Sequence, residues 1–600
     1  MSHAGRKRDP IWNFYNEIPH APGKTGSRAR CKDCGTEMQG LVARMKDHRQ
    51  KCEGPVVDSG DQTVERQPMD ETVQQPEQSV PVPSTSAAAR PINVLSSVKR
   101  EASPARSWQD SSAKVRRVDQ FIIKTTKSEK EIIEEQIARF IFATNSSFRL
   151  VEHEEFIKTV QLLRPGYTPP SRFDVAGKLL DSVYVKCLQT GEEILRDSTV
   201  CMSLDGWSNI HNEPVVCATV TTADSDIYLV DTIDTSGKPH TSEYLVEVAA
   251  SAIQKCEQTF NCHVRSFVTD NAANVAKMRQ ELEQREDLDL VTYGCSAHLL
   301  NLLAKDLEIT NIKEQVVQVV KYFRNNHFAV AAYKSAGGLR LIMPQDVRWN
   351  TMADCLETYI TQWPKLMAIC EQNRNNIDKD IANIVTNIGV KRSAEELLKR
   401  LKPIAVALDS IQKDSCTIAD GVEIWKTLKA DLALENRDAK KKFQKRYDQA
   451  LSPSHFLANI VHPKYRGKNL TTDEYGTGMD LAAQQHAAVV PDLVNYKAEA
   501  SPFKSFMFQQ NVLDSVKPLD WWKSHADHLN QETVRVVHQL LTATASSAGV
   551  ERVFSSFGLV HSNLHNRLGI EKAGKLVFLF KLMNKKPVAE EVEDEHLYCN

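Results

Sequence analysis

The sequence has no run of about 18 apolar residues, so nothing in it is written to span a bilayer as a helix. Its N-terminus, MSHAGRKRDP, lacks the apolar core of a signal peptide, and an intracellular location is expected. Thirteen cysteines over 600 residues do not make a dense disulfide framework. In a reducing compartment, those that cluster are read as metal ligands. Net charge is nearly absent as well, with 75 Lys and Arg against 77 Asp and Glu, so overall charge does not by itself point to a polyanionic partner. No internal repeat is evident.

What is present is unevenly distributed. Residues 1–52 carry eleven Lys or Arg against five Asp or Glu, whereas residues 53–80 are acidic with the single base Arg66, the pattern of a basic head on a solvated tether. GRKRDP at the start and KVRR at 114–117 fit nuclear import signals, and the nucleus is the expected location. Residues 1–55 read as a compact module, and residues 56–126, rich in Pro, Ser, Gln and Glu, as a disordered linker. EKEIIEEQIARFIFATN places Ile132, Ile133, Ile137, Phe140 and Ile141 on one helical face and opens a helical lead-in over 127–197. Three β-rich stretches follow (STVCMSLDGWSN, EPVVCATVTTAD, SDIYLVDTIDTSG), then a helix, the strand HVRSFVTD, a helix, the short strand LVTYGC and the helix SAHLLNLLAKDL. That order over 198–309, β-β-β-α-β-α-β-α, is the order of a ribonuclease H-like core. Residues 310–530 are mostly helical, 531–585 return to the core, and 586–600 form an acidic tail. The expected fold is multidomain α/β: a small zinc finger, a disordered linker, and a ribonuclease H-like core interrupted by a large all-helical insertion.

Three constellations carry chemistry. Cys31, Cys34, His48 and Cys52 follow the pattern C-x2-C, thirteen residues, H-x3-C. A knuckle with two thiolates and a helix with two ligands on one face are what a tetrahedral zinc site needs, and the metal substitutes for the core so short a module lacks. Trp12 and Phe14 in IWNFY are placed to pack over the knuckle. The module resembles a BED-type zinc finger, a DNA-binding module, and its basic excess (Lys24, Arg28, Arg30, Arg44, Lys46, Arg49) suits phosphate contacts. In the core, Asp205 ends the first strand and Asp270 the fourth; these strands are neighbours in such a sheet, so the carboxylates converge. With a third carboxylate from a helix they supply the oxygen ligands two hard cations, Mg2+ or Mn2+, require for phosphoryl transfer. Late in the chain, SSAGVERVFSSFG puts Glu551 at the margin of an apolar helical face formed by Val550, Val553, Phe554 and Phe557. A carboxylate there needs a partner: a base such as Arg552, a water network or a metal ion.

DGW, TDNAAN, the CSAH at 295–298, the RWN at 348–350, DWW at 520–522 and SSAGVERVFSS occur in the order and context of the hAT superfamily of DNA transposases, which residues 128–583 resemble. The resemblance implies that Asp205, Asp270 and Glu551 are a DDE catalytic triad holding two Mg2+ or Mn2+. It implies that Cys295 and His298 stand near the catalytic centre and bind DNA; a thiol and imidazole merely packed at a helix start is the competing reading. Arg348 and Trp349 match the family's Arg-Trp pair, whose ring stacks on an unpaired base beside the cleavage site. Val550 departs from the family, which has a small or polar residue before the catalytic Glu. The partners implied are double-stranded DNA, as transposon ends and target, and further copies of the chain in a homodimer or higher homo-oligomer. The apolar run Leu576 to Phe580 with Leu582 exceeds one helix face and requires burial between elements or between subunits. The function implied is cut-and-paste transposition; the alternative is a host-recruited BED-finger regulator that binds DNA without cutting it.

Overall fold

A computed structural model describes residues 10–18, 28–39, 42–52, 125–209, 211–285, 287–345, 350–432, 437–561 and 568–585. The linker up to residue 124, the tail 586–600, both basic clusters, and Arg348 with Trp349 lie outside the described residues. The chain divides into two compact units, Met1–Ser112 and Ala113–Asn600. It is mostly helical, with a mixed sheet in the second unit. Among the described residues no helix is long and apolar enough to cross a membrane.

In the first unit, β1 (Tyr15–Ile18), β2 (Arg28–Cys31) and β3 (Glu37–Gln39) form an antiparallel sheet, followed by α1 (Val42–Lys51). Among the described residues its core is Ile11, Tyr15, Ala29, Cys31 and Met45, with Trp12, Cys34 and Cys52 packed against them. Trp12 packs inward as expected, but the second inward aromatic is Tyr15, not Phe14. The Tyr15 hydroxyl donates to the Met45 carbonyl at 2.7 Å, while Phe14 is 42% exposed with the Arg49 guanidinium 4.2 Å above its ring.

The second unit opens with α2 (Lys127–Ala143), started by a capping box: Thr126 Oγ1 accepts from the Glu129 amide at 3.2 Å and the Glu129 carboxylate accepts from the Thr126 amide at 2.8 Å. The lead-in ends with α3 (Leu180–Leu195). β4 (Thr199–Ser208), β5 (Pro214–Thr221) and β6 (Ile227–Asp234) form the antiparallel meander. α4 (Ser242–Phe260) then leads to β7 (His263–Thr269), α5 (Ala273–Glu283) to β8 (Val291–Gly294), and α6 (Ser296–Asp306) leaves the sheet. Strand order is β6-β5-β4-β7-β8, with β4-β7 and β7-β8 parallel.

Side chains alternate across a strand, and both faces of this sheet are covered. Val200, Met202, Leu204 and Phe267 pack into one core with Ala138, Val183, Val248 and Leu579. Cys201 and Val268 pack into the other, with Leu299 and Leu303 of α6 and residues of the helices that follow. Those helices lie between residues 310 and 528 and include α7 (Ile388–Ile411), α8 (Ile418–Asp431) and α9 (Arg437–Ala450). The Trp425 indole donates to Ser296 Oγ at 3.3 Å, fastening α8 to the start of α6. Trp521 and Trp522 of the DWW motif are buried, donating to the carbonyls of Met507 and Val461. The chain returns to the sheet as α10 (Gln531–Thr542), α11 (Ala548–Val560) and α12 (Ile570–Met583).

Of two expectations about apolar faces, the first needs correction, and the second, burial between elements or between subunits, resolves to burial between elements. On α2 the buried stripe is Ala138, Ile141 and Phe142, whereas Ile132 is 65% and Phe140 49% exposed, because α12 and α3 meet the helix along the first set. The run Leu576–Leu579 is buried within this chain, where α12 crosses the edge strand β6 and lies against α2 and α3. Gly574 permits that crossing, since a Cβ there would stand 2.2 Å from Thr232 Oγ1.

Candidate functional site

The N-terminal cluster is built by a turn and a helix. Cys31 closes β2, and the Gly35 amide donates to the Cys31 carbonyl at 3.1 Å with Gly35 at φ 73°, a conformation glycine adopts without strain. That turn points Cys34 back toward Cys31, while α1 brings His48, four residues before Cys52, onto the same side. All four ligand atoms lie within 4.8 Å of one another, with Cys34 Sγ to His48 Nε2 3.1 Å and Cys31 Sγ to Cys52 Sγ 3.9 Å. Thiolates 2.3 Å from a tetrahedral zinc stand about 3.8 Å apart, so these residues fit that ion. The Thr36 hydroxyl and amide lower the Cys34 thiol to about 6, toward the thiolate a metal takes. Of the basic residues around it, Arg30 pairs with Glu37 at 2.7 Å and Arg49 with Asp33.

In the second unit, Asp205 lies near the carboxyl end of β4 and Asp270 one residue beyond β7. Ser203 is level with Val268 across these parallel strands, and counting two residues on along each brings Asp205 level with Asp270. Asp205 Oδ1 accepts from the Gly206 amide at 2.8 Å. Asp270 Oδ1 accepts from the Ala272 amide at 3.2 Å, a local turn that sets its direction. Burial drives the Asp205 carboxyl up to about 7 against the Gly206 hydrogen bond, and the charges of Asp270 and Glu551 push it the same way. The three acids from distant parts of the sequence therefore share one field. They are looser than the cysteine cluster, which among the described residues is the one group of three or more such ligands within 4.8 Å. Two cations about 3.5–4 Å apart can be held by carboxylates that do not touch one another.

Glu551 sits in the first turn of α11, exposed, and two attachments hold that helix. At its start the Ser547 amide donates to Cys295 Sγ at 3.4 Å and the Ser296 amide to the Ala545 carbonyl at 3.1 Å. Along its length Trp207 stacks on Phe554 with centroids 4.4 Å apart and meets Phe557 edge-on at 4.8 Å. Trp207 is two residues past Asp205, on the same face of β4, so one strand carries both an acid and the platform for the helix bearing another. Arg552 is turned away to Asp414 and to the Gln412 carbonyl, 3.1 Å, rather than to Glu551. Val550 is fully buried in the core of the sheet.

Cys295 and His298 lie at the edge of this field. The Cys295 thiol is buried, which raises its pKa, and the Glu551 charge adds to the rise. Burial lowers His298, with the Asp270 charge opposing. The Cys295 amide donates to the Thr269 carbonyl at 2.7 Å and the Asn271 amide group to the Cys295 carbonyl at 2.9 Å, stitching TDNAAN to CSAH. Sequence reasoning missed Arg279, whose buried guanidinium donates to Thr269 Oγ1 and the Asp270 carbonyl. The available signal was its helical position beside Met278 and Leu282, where a charge is costly without partners.

The raised Asp205 has a consequence for stability. A carboxyl with a raised folded pKa favours folding while protonated, so its contribution is full below 3.8 and lost as pH climbs through about 7. The metal-free protein should lose melting temperature between about pH 4 and 7, Asp205→Asn should lose less, and Mn2+ should restore wild type at pH 8. Parallel pH profiles for the two proteins would refute the coupling.

Comparison with known proteins adds family context. Residues 170–323 match the family described as domain of unknown function (DUF659), and residues 494–583 match the hAT family C-terminal dimerisation region. Two Zea mays proteins, "Putative AC transposase" and "Putative AC9 transposase", are each 30% identical over 176 residues, 26% of this chain. The match spans 21% of the first and 20% of the second, about a fifth of either relative. The chain is therefore similar to hAT proteins over its C-terminal region and to these two relatives over a limited stretch.

Proposed function

We propose that this chain is a hAT-type DNA transposase with an N-terminal BED-type finger, acting by metal-dependent strand cleavage and strand transfer on a ribonuclease H-like core. The observation that carries the reading is the shared field of Asp205, Asp270 and Glu551 at the carboxyl ends of β4 and β7, in a chain with hAT similarity. Strand order β6-β5-β4-β7-β8 with one antiparallel meander supports the core assignment. Asp205, Asp270 and Glu551 would hold two Mg2+ or Mn2+ ions, which when bound sharpen the attacking oxygen and stabilise the leaving one. The chain's residues set the geometry: Arg279 fixes the turn at Asp270, the Trp207 platform fixes α11, and Cys295 ties α11 to β8. The phosphodiester is attacked first by water and then by a 3'-hydroxyl; each time one phosphorus–oxygen bond forms and one breaks. Arg348 and Trp349 would hold an unpaired base beside the cut. The finger would hold zinc and dock duplex DNA, the assembly would be a homodimer through the C-terminal region, and the location nuclear.

The test is cleavage of duplex DNA carrying the ends of the candidate element, by full-length protein with Mg2+ or Mn2+. Nicked ends, hairpins on the flanking DNA and strand-transfer products are expected. DNA bound but uncut with either ion would sink the enzyme and leave a recruited DNA-binding regulator.

A further inference from the structure

The helix α9 reads RDAKKKFQKRYDQA, six basic residues against two acidic. Its buried side is Phe443, Tyr447 and Ala450. At 100° per residue, Arg437, Lys441 and Lys445 fall on the opposite side, one turn apart, with Lys440 on the flank nearest Tyr447. Lys440, Lys441 and Lys445 are exposed and, among the described residues, take part in no ion pair; Lys442 pairs with Asp438 at 2.8 Å and Arg446 with Asp306 at 2.7 Å. Lys429 of α8, also exposed, lies 4.9 Å over the Tyr447 ring and extends the positive face across to the next helix.

The placement of this face gives it meaning. The Arg446–Asp306 pair fastens α9 along α6, the helix that Cys295 immediately precedes. The last turn of α9, Gln449 and Ala450, lines a cleft of about 170 Å3 together with Arg279, Tyr293 and Gly294, at the carboxyl end of β8. The basic helix therefore ends beside the residues that fix Asp270. Its length, about 21 Å at 1.5 Å per residue, matches some six base pairs.

We propose that the outward face of α9, with Lys429, is a docking surface for the phosphate backbone of DNA, holding duplex beside the carboxylate site. This rests on the reading of DNA as substrate and names the surface that carries it. A membrane surface is disfavoured because the apolar side of the helix, which would have to enter lipid, is already buried in the protein. Backbone contacts of this kind carry no sequence information and serve any duplex.

The experiment measures binding of full-length protein to a duplex lacking element sequence, as a function of salt. Changing Lys440, Lys441 and Lys445 together to Gln should reduce the slope of log K against log salt by roughly 2–3, since each phosphate contact contributes about 0.9. Arginine at all three positions should retain the wild-type slope. A charge-matched control, Lys238, Lys334 and Lys379 to Gln, should leave it unchanged. An unaltered slope in the α9 variant, or an equal change in the control, would overturn the surface. Wild-type cleavage of element-end DNA is assayed on the same preparation. A wild type that never cuts while the α9 variant loses its slope refutes the enzyme and keeps the surface; a cutting wild type with an unaffected α9 variant does the reverse.

Discussion

Glu551→Gln should lower strand cleavage by at least about 100-fold, some 2.7 kcal/mol of barrier, while leaving folding and finger-mediated DNA binding intact. The substitution keeps the shape and removes the charge, so one cation of the proposed two-metal site would lose a ligand. The packing of α11 is carried by Val550, Val553 and Phe557 and by the Trp207 stack on Phe554, none of which the change touches. The exposed Glu551 carboxylate is one of two charges that push Asp205 up, and its loss should also let the Asp205 carboxyl titrate lower. Cleavage on element-end DNA, melting temperature and binding are read together. A Glu551→Gln protein that cuts at the wild-type rate would remove Glu551 from the catalytic set.

The second large effect is expected at the finger. With five buried core residues among those described, one of them in the Cys/His cluster, the strands and helix of the first unit gain too little from apolar burial alone to meet the conformational entropy of ordering them. Zinc affinity in such modules is on the order of 10–16 kcal/mol and is the folding energy itself. Cys31→Ser or His48→Ala in the full chain should abolish zinc retention and sequence-specific DNA binding, and leave the main thermal transition, which belongs to the second unit, in place. Zinc content near one per chain in wild type and near zero in the variants checks the site. Specific binding that survives a chelator unchanged would rule out a metal-folded module.

The contrast between what was legible and what was not follows chain distance. The cysteine and histidine ligands were readable because the constraint is local: two ligands in one turn and two on one helical face, all within 22 residues. Asp270 was readable as a strand end, whereas β4 runs on past Asp205 to Ser208, because β5 stays paired with it over that stretch. The aromatic that enters the finger core was misassigned between neighbours, because Phe14 and Tyr15 differ by which one β1 turns inward, and the Tyr15 hydroxyl finds its acceptor only in α1. On α2 the periodicity showed an apolar helix, but Ile132 and Phe140 lie off the stripe that α12 and α3 cover.

The sequence by itself determined which groups can do chemistry here: four soft ligands at zinc spacing, three carboxylates, and alternating strands interleaved with helices. Those are properties of residue type and of periods two and 3.6, which need no partner to be read. Tertiary structure alone decided that Glu551 comes back within the field of Asp205, 346 residues earlier in the chain. It also decided that Arg552 faces Asp414, that Trp207 serves α11, and that the C-terminal apolar run closes over β6 inside the chain. The reason is physical: desolvation and charge coupling depend on which atoms arrive at contact distance. For residues hundreds of positions apart, only the packed sheet and its covering helices set that arrival.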